Sequence, residues 1–246
     1  MRAPDISVHG DARLAAEMLV AELENRSYRN AGYRVHEVQE RIASFNPMHS
    51  FQDRSTSGTL DPRTLMAALD RVLPRGRCLV VDSGHHINFS CAFLQVHEPS
   101  AFIFPVESFS IGLGMGTAIG AAIARPDRPT VLETGDGALM MTLGDLETAV
   151  RYKLPLVVVV CNNGGFGSEM GILRALGMPE ESARFPTPSF AAIAKSIGAE
   201  GFTIATLDDL AAVGTRLGLA ADRPIVLDCI VNPDVRVDSL FLTAAS

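Results

Sequence analysis

The chain has 246 residues, 47% of them hydrophobic, enough to bury one good α/β core and a modest extra segment. Its formal net charge is -7, Trp is absent, and its Lys and Arg residues are scattered. That excludes a basic face for nucleic acid or an anionic membrane, and it excludes an aromatic-rich binding platform.

Asp11 is placed to N-cap a first helix over 12–23, with Leu14, Met18, Leu19 and Leu23 at helical spacing. From 24 to 59 the pattern weakens and reads as a linker or extended arm, which puts the domain division at 1–59 and 60–246. Asp61 then caps a second helix with Pro62 at its first position, and Leu65, Met66, Leu69 and Val72 form its apolar face. Beyond it, short continuous apolar runs at 78–81, 101–104, 130–132, 156–160, 202–205 and 225–231 read as strands buried on both faces. Helical segments at 111–124, 143–152, 190–197 and 208–220 alternate with them, the last opening with Thr206 and Asp209 in a capping-box arrangement. Strand and helix in alternation predict a doubly wound, six-stranded parallel sheet with helices on both faces, preceded by a helical N-terminal arm.

Cys78, Cys91, Cys161 and Cys229 form no CxxC pair and show no zinc spacing with the histidines, so reduced thiols, mostly in the core, are expected. The start, MRAPDISVHGDAR, has no apolar signal region. The longest apolar run, 156–161, is too short to span a bilayer. A soluble cytoplasmic protein without a membrane partner is expected.

In an open parallel sheet, ligands bind beyond the carboxyl ends of the strands. The third strand runs into Gly135-Asp136-Gly137 and the fourth into Asn162-Asn163-Gly164-Gly165. One crossover separates them, so neighbouring strands would bring Asp136 and Asn163 within about 4.8 Å of strand spacing. A carboxylate, an amide oxygen and a carbonyl near Gly165 suit Mg²⁺, which takes few protein carboxylates and completes its octahedron with phosphate oxygens. The N–H groups of Gly137 and Ala138 open a helical segment and suit a diphosphate.

The GDG, the following helix and apolar strand, and the paired Asn resemble the metal–diphosphate signature of thiamine diphosphate (ThDP) enzymes. The stretch ETGDGALMMTLGDLETAVRYKLPLVVVVCNNGGFGSE is similar to the acetolactate synthase and benzoylformate decarboxylase group, and the resemblance runs from about 60 to 231. It implies that Asp136, Asn163 and the Gly165 carbonyl bind Mg²⁺, and that Gly137 and Ala138 touch the diphosphate. It implies that Ile111, in Ser108-Phe109-Ser110-Ile111-Gly112, wedges under the bent cofactor, with the Phe109 carbonyl accepting from the aminopyrimidine. Ser83, Gly84, His85 and His86 match a diphosphate-contacting loop in which His85 stands where Gln is usual. Either histidine can donate to phosphate or shuttle a proton, and both are expected as catalytic residues. Gly165, Phe166 and Gly167 would line the pyrophosphate and the substrate mouth.

No residue here matches the Glu that activates the cofactor in this family, which lies on a separate N-terminal domain. The opening VHGDARLAAEMLVAEL is similar to the end of the family's middle domain. The resemblance therefore implies a partner polypeptide carrying the pyrimidine-binding and middle domains, in a hetero-oligomer built on dimers, or else a piece of a longer enzyme. The expected reaction is decarboxylation of a small 2-oxo acid, with release or ligation of the acyl-anion equivalent. The alternatives are the beta-type subunit of a sulfopyruvate or phosphonopyruvate decarboxylase and a non-catalytic regulatory ThDP-binding subunit. A nicotinamide site is excluded: in Gly112-Leu113-Gly114-Met115-Gly116, Thr117 falls where a third Gly is required.

Overall fold

A computed structural model describes residues 5–30, 32–105, 107, 110–217 and 222–236. The backbone divides into two compact units, 1–46 and 47–246. In the first, Asp11 accepts from the Leu14 N–H at 3.0 Å and caps α1 (Ala12–Asn25). A further helix, α2 (His36–Ser44), corrects the reading of this stretch as an arm without regular structure. The helix is short and polar, so its period is weak.

The second unit begins before the expected start at 60. Residues 47–59 are tied to it by polar bonds that no hydrophobic pattern reveals. Arg54 N–H donates to Asp61 Oδ2 at 3.0 Å, Thr64 Oγ1 donates to Asp53 at 2.9 Å, and Asn232 Nδ2 donates to the Arg54 carbonyl at 2.8 Å. Asp61 also caps α3 (Pro62–Val72), as its sequence implies.

Six parallel strands follow: β1 (Cys78–Val81), β2 (Phe102–Ile103), β3 (Thr130–Gly135), β4 (Leu156–Asn162), β5 (Glu200–Ile204) and β6 (Ile225–Ile230). Their order is β2-β1-β3-β4-β6-β5. The helices between them are α4 (Ile87–Phe93), α5 (Gly114–Ala124), α6 (Asp136–Met141), α7 (Asp145–Arg151), α8 (Gly167–Ala175), α9 (Phe190–Ile197) and α10 (Leu207–Leu217). Strand residues alternate between two cores. Leu79, Val81, Val157, Val159, Ile225 and Leu227 pack with α3, α4 and α10. Cys78, Val80, Leu156, Val158, Val160 and Val226 pack with α5, α7 and α9. Both strand faces are covered, which is why the strands read as unbroken apolar runs.

β3 and β4 run two or three residues further than their apolar runs. Thr134 pairs with Val160 and Gly135 with Cys161 in the ladder. Glu133 and Thr134 are polar yet fully buried, so hydrophobicity alone ends the strand too early. Chain direction across the sheet reverses between β1 and β3, and the carboxyl edge there opens a crevice. Among the described residues no helix is long and apolar enough to cross a membrane.

Candidate active site

A cleft of about 270 Å³ lies at that edge, between the ends of β1, β3 and β4. It brings together Ser83, Gly84, His85 and His86 after β1, and Asp136, Gly137 and Ala138 after β3. Asn163, Gly165, Phe166 and Gly167 come from the loop after β4, and Ile111 from the segment leading into α5. Phe109 and Ser108 lie outside the described residues.

Asp136 is 2% exposed at the start of α6. One carboxylate oxygen accepts from Gly137 N–H at 2.7 Å, and the other accepts from Gly164 and Gly165 N–H at 2.8 and 3.1 Å. Burial nevertheless raises its pKa above the ordinary value, against these three donors and the charge of His86. The Gly137 N–H, expected to face a diphosphate, is thus given to Asp136 in this structure.

The two asparagines part company because neighbouring residues point to opposite sides at a strand end. Asn162 is structural: its amide donates to Asp228 at 2.9 Å and its oxygen accepts from Thr187 at 2.8 Å. Asn163 turns to the cleft, and its Oδ1 is buried with no hydrogen-bond partner.

Glycines set the walls. Gly165 has φ +156°, and a Cβ there would fall 2.2 Å from the Ala183 carbonyl. A Cβ on Gly137 would strike the Phe166 ring at 2.5 Å. Phe166 itself stacks edge-on against Phe185, with centroids 5.0 Å apart, so it anchors the loop as well as lining the cleft.

Three buried acids matter here that the sequence did not single out. Asp82 directly follows β1 and gathers four donors: Ser83, Gly112 and Gly114 N–H, and Thr134 Oγ1, at 2.7–3.2 Å. It ties the segment bearing Ile111 to the sheet. Glu133, on β3, receives His86 Nδ1 at 2.8 Å and Cys161 Sγ at 3.2 Å. Asp228, on β6, holds Asn162 and accepts from Phe190 N–H at 3.0 Å. An acid within or directly after an apolar strand is the signal that marks each of them.

Residues 82–229 match the model of the family described as thiamine pyrophosphate enzyme, C-terminal TPP binding domain. The chain belongs to this family. It is 32% identical over 164 residues to a sulfoacetaldehyde acetyltransferase of Alcaligenes xylosoxydans xylosoxydans, covering 66% of this chain and 27% of that protein. It is 32% identical over 158 residues to an acetolactate synthase large subunit of Haemophilus influenzae, covering 63% of this chain and 27% of that protein. A solved thiamine diphosphate-dependent 4-hydroxybenzoylformate decarboxylase of Rhodococcus jostii superposes with TM-score 0.67 at 27% identity, covering 74% of this chain and 34% of that one. The matched stretch therefore spans between about a quarter and a third of the length of these relatives.

The family's cofactor is thiamine pyrophosphate (ThDP), accompanied by Mg²⁺. The residues at the cleft of this TPP-binding domain fit that pair. Among the described residues no group of three or more His, Cys, Asp or Glu is arranged to hold a metal. The donors present are one buried carboxylate and one unpartnered buried amide oxygen. Such a set suits a hard cation that brings phosphate oxygens with it, and suits zinc poorly.

Proposed function

We propose that this chain holds the Mg²⁺–diphosphate end of ThDP in an enzyme that decarboxylates a 2-oxo acid and releases or ligates the acyl-anion equivalent. The observation that carries the reading is that the buried Asp136 carboxylate and the unpartnered Asn163 oxygen, from the ends of β3 and β4, line one cleft. Asp136, Asn163 Oδ1 and the Gly165 carbonyl would hold Mg²⁺. A dication there offsets the cost of burying Asp136, whose raised pKa records that cost. Gly137, Ala138, Ser83, Gly84 and His85 would surround the diphosphate, and Ile111 and Phe109 the rings. Gly167 and Phe166 would border the substrate mouth. His86, buried against Glu133, would supply a positive donor at the floor.

Bound ThDP supplies the nucleophilic carbon and the electron sink for decarboxylation. This chain's own task is to orient the cofactor, neutralise its anionic end and exclude water from it. The pyrimidine-binding site, the activating Glu and much of the substrate pocket would come from residues outside this stretch, on a partner polypeptide or elsewhere in a longer enzyme. That part is supported by the match to the C-terminal TPP binding domain alone and by the small share of each relative that it covers.

Calorimetry of the chain with ThDP, with and without Mg²⁺, tests the binding. Mg²⁺-dependent binding that Asp136→Ala abolishes is expected. Binding that ignores both Mg²⁺ and Asp136 would sink the reading. Native mass spectrometry of the tagged chain from cells tests the partner. Catalytic turnover of a 2-oxo acid by the chain alone at a normal enzymatic rate would refute the need for one.

A further inference from the structure

We propose that Asp82 is a positioning residue, whose carboxylate fixes the turn carrying Ile111 against the loop 83–86. The wall that supports the cofactor's rings then stands at a set distance from the wall that receives its diphosphate. The proposal rests on the cofactor reading above, and it assigns a role to a residue that the reading does not use.

Asp82 is 1% exposed, directly after β1. A buried carboxylate persists only where its oxygens are engaged, and four neutral donors engage them here. Oδ1 accepts from Ser83 N–H at 2.7 Å and from Gly112 N–H at 3.1 Å. Oδ2 accepts from Gly114 N–H at 3.1 Å and from Thr134 Oγ1 at 3.2 Å. The Asp82 N–H donates in turn to the Glu133 carbonyl at 2.8 Å. One side chain therefore joins the loop after β1, the turn before α5 and the body of β3.

α5 opens on this carboxylate. Leu113, at its N-cap, makes no side-chain capping bond, and the Gly114 N–H at the first helical position goes to Asp82 instead. A carboxylate there also faces the positive end of the helix dipole. Gly112 is left-handed at φ +87°, so the chain turns sharply between Ile111 and α5. A Cβ on Gly114 would lie 2.7 Å from Asp82 Oδ2 and 2.8 Å from its Cβ, so the helix start approaches Asp82 as only glycine allows. Ile111 adjoins the bonded Gly112, and the bonded Ser83 adjoins Gly84. Ile111, Ser83 and Gly84 all line the cleft. The distance between its two walls is thus set through one carboxylate. An amide cannot match the same donors. Backbone N–H groups approach both oxygens, so in Asp82→Asn the NH₂ meets at least one of them whichever way it turns. Turned to keep Ser83 and Gly112, it meets the Gly114 N–H, while the Thr134 hydroxyl can rotate to accept.

The test is calorimetry of the full chain in Mg²⁺ with two probes, inorganic diphosphate and ThDP. The wild type is expected to bind ThDP more tightly, because only ThDP carries rings that reach Ile111. Asp82→Asn is expected to weaken ThDP binding about tenfold or more, as for a lost hydrogen bond to a charged acceptor, and to leave diphosphate binding unchanged. Gly114→Ala pushes the turn off the carboxylate without altering Asp82, and is expected to give the same pattern. It also provides a second route if Asp82→Asn does not fold. A role in holding the fold together would weaken both probes in parallel. Parallel losses, or unchanged ThDP affinity in the folded variants, would overturn the proposal and leave the functional reading standing. So would a wild type that binds the two probes equally. A wild type that binds neither would bring down the functional reading and this proposal together.

Discussion

Replacing Asn163 with alanine should move stability and binding in opposite directions. In the ligand-free chain the Asn163 Oδ1 is buried without a hydrogen-bond partner. An unsatisfied buried acceptor costs about 1–3 kcal/mol. Asn163 is only half-buried, so truncation leaves a small void that returns part of that gain. The net expectation is a ligand-free variant as stable as the wild type or about 1 kcal/mol more stable. For a unit of this size that is a rise of about 2–4 °C in Tm at most. With Mg²⁺ and ThDP at about 100 times Kd, the wild type should gain about 2.7 kcal/mol by linkage. The variant should gain little, because it has lost a metal donor. Differential scanning calorimetry with and without Mg²⁺ and ThDP measures both effects. A fall of more than about 4 °C in the ligand-free variant would refute the reasoning, since it would mean that the Asn163 oxygen already has a structural partner.

Further outcomes follow from the same geometry. Gly165→Ala should destabilise by about 3 kcal/mol or more in urea titration, since the residue is left-handed at φ +156° and its Cβ would collide with the Ala183 carbonyl; a loss below about 1 kcal/mol would contradict the close approach. Phe190→Ala removes a ring that is 1% exposed beneath the second sheet face, and should cost about 3–5 kcal/mol, read from the same titration. The His86–Glu133 pair should stabilise the fold most in acid. The raised His86 pKa means that its contribution is fully present below the ordinary value of 6.5 and is lost as pH rises through the folded-state value. The urea midpoint of the wild type should therefore exceed that of His86→Gln by more at about pH 6 than at about pH 9, and a gap independent of pH would rule out the charged pair.

Local chemistry carried much of the architecture. Asp11 and Asp61 announce their helices, because a cap is a bond between residues two or three apart. The unbroken valines of β4 announce a strand covered on both faces. GDG and the paired Asn mark the two strand ends, because the glycines and the short amides are otherwise poor choices after an apolar run. The limits of that reading have physical causes. α2 is short with few apolar residues to mark a period, α4 spans only seven residues, too few to establish one, and the glycine-bounded α8 has a half-exposed face.

The carboxylates show the boundary most plainly. Asp136 is recognisable from its flanking glycines, but nothing local says that Asn163 rather than Asn162 faces the cleft. That choice is made by the ladder, where Asn162 pairs with Ile230 and reaches Asp228. Glu133 looks like an error in an apolar strand until β1 and β4 bring His86 and Cys161 to its two oxygens. Covalent neighbours specify strands, caps and turns because those depend on the residues beside them. The partners of a buried charge lie 28 and 47 residues away, and only the packing of the sheet brings them within bonding distance.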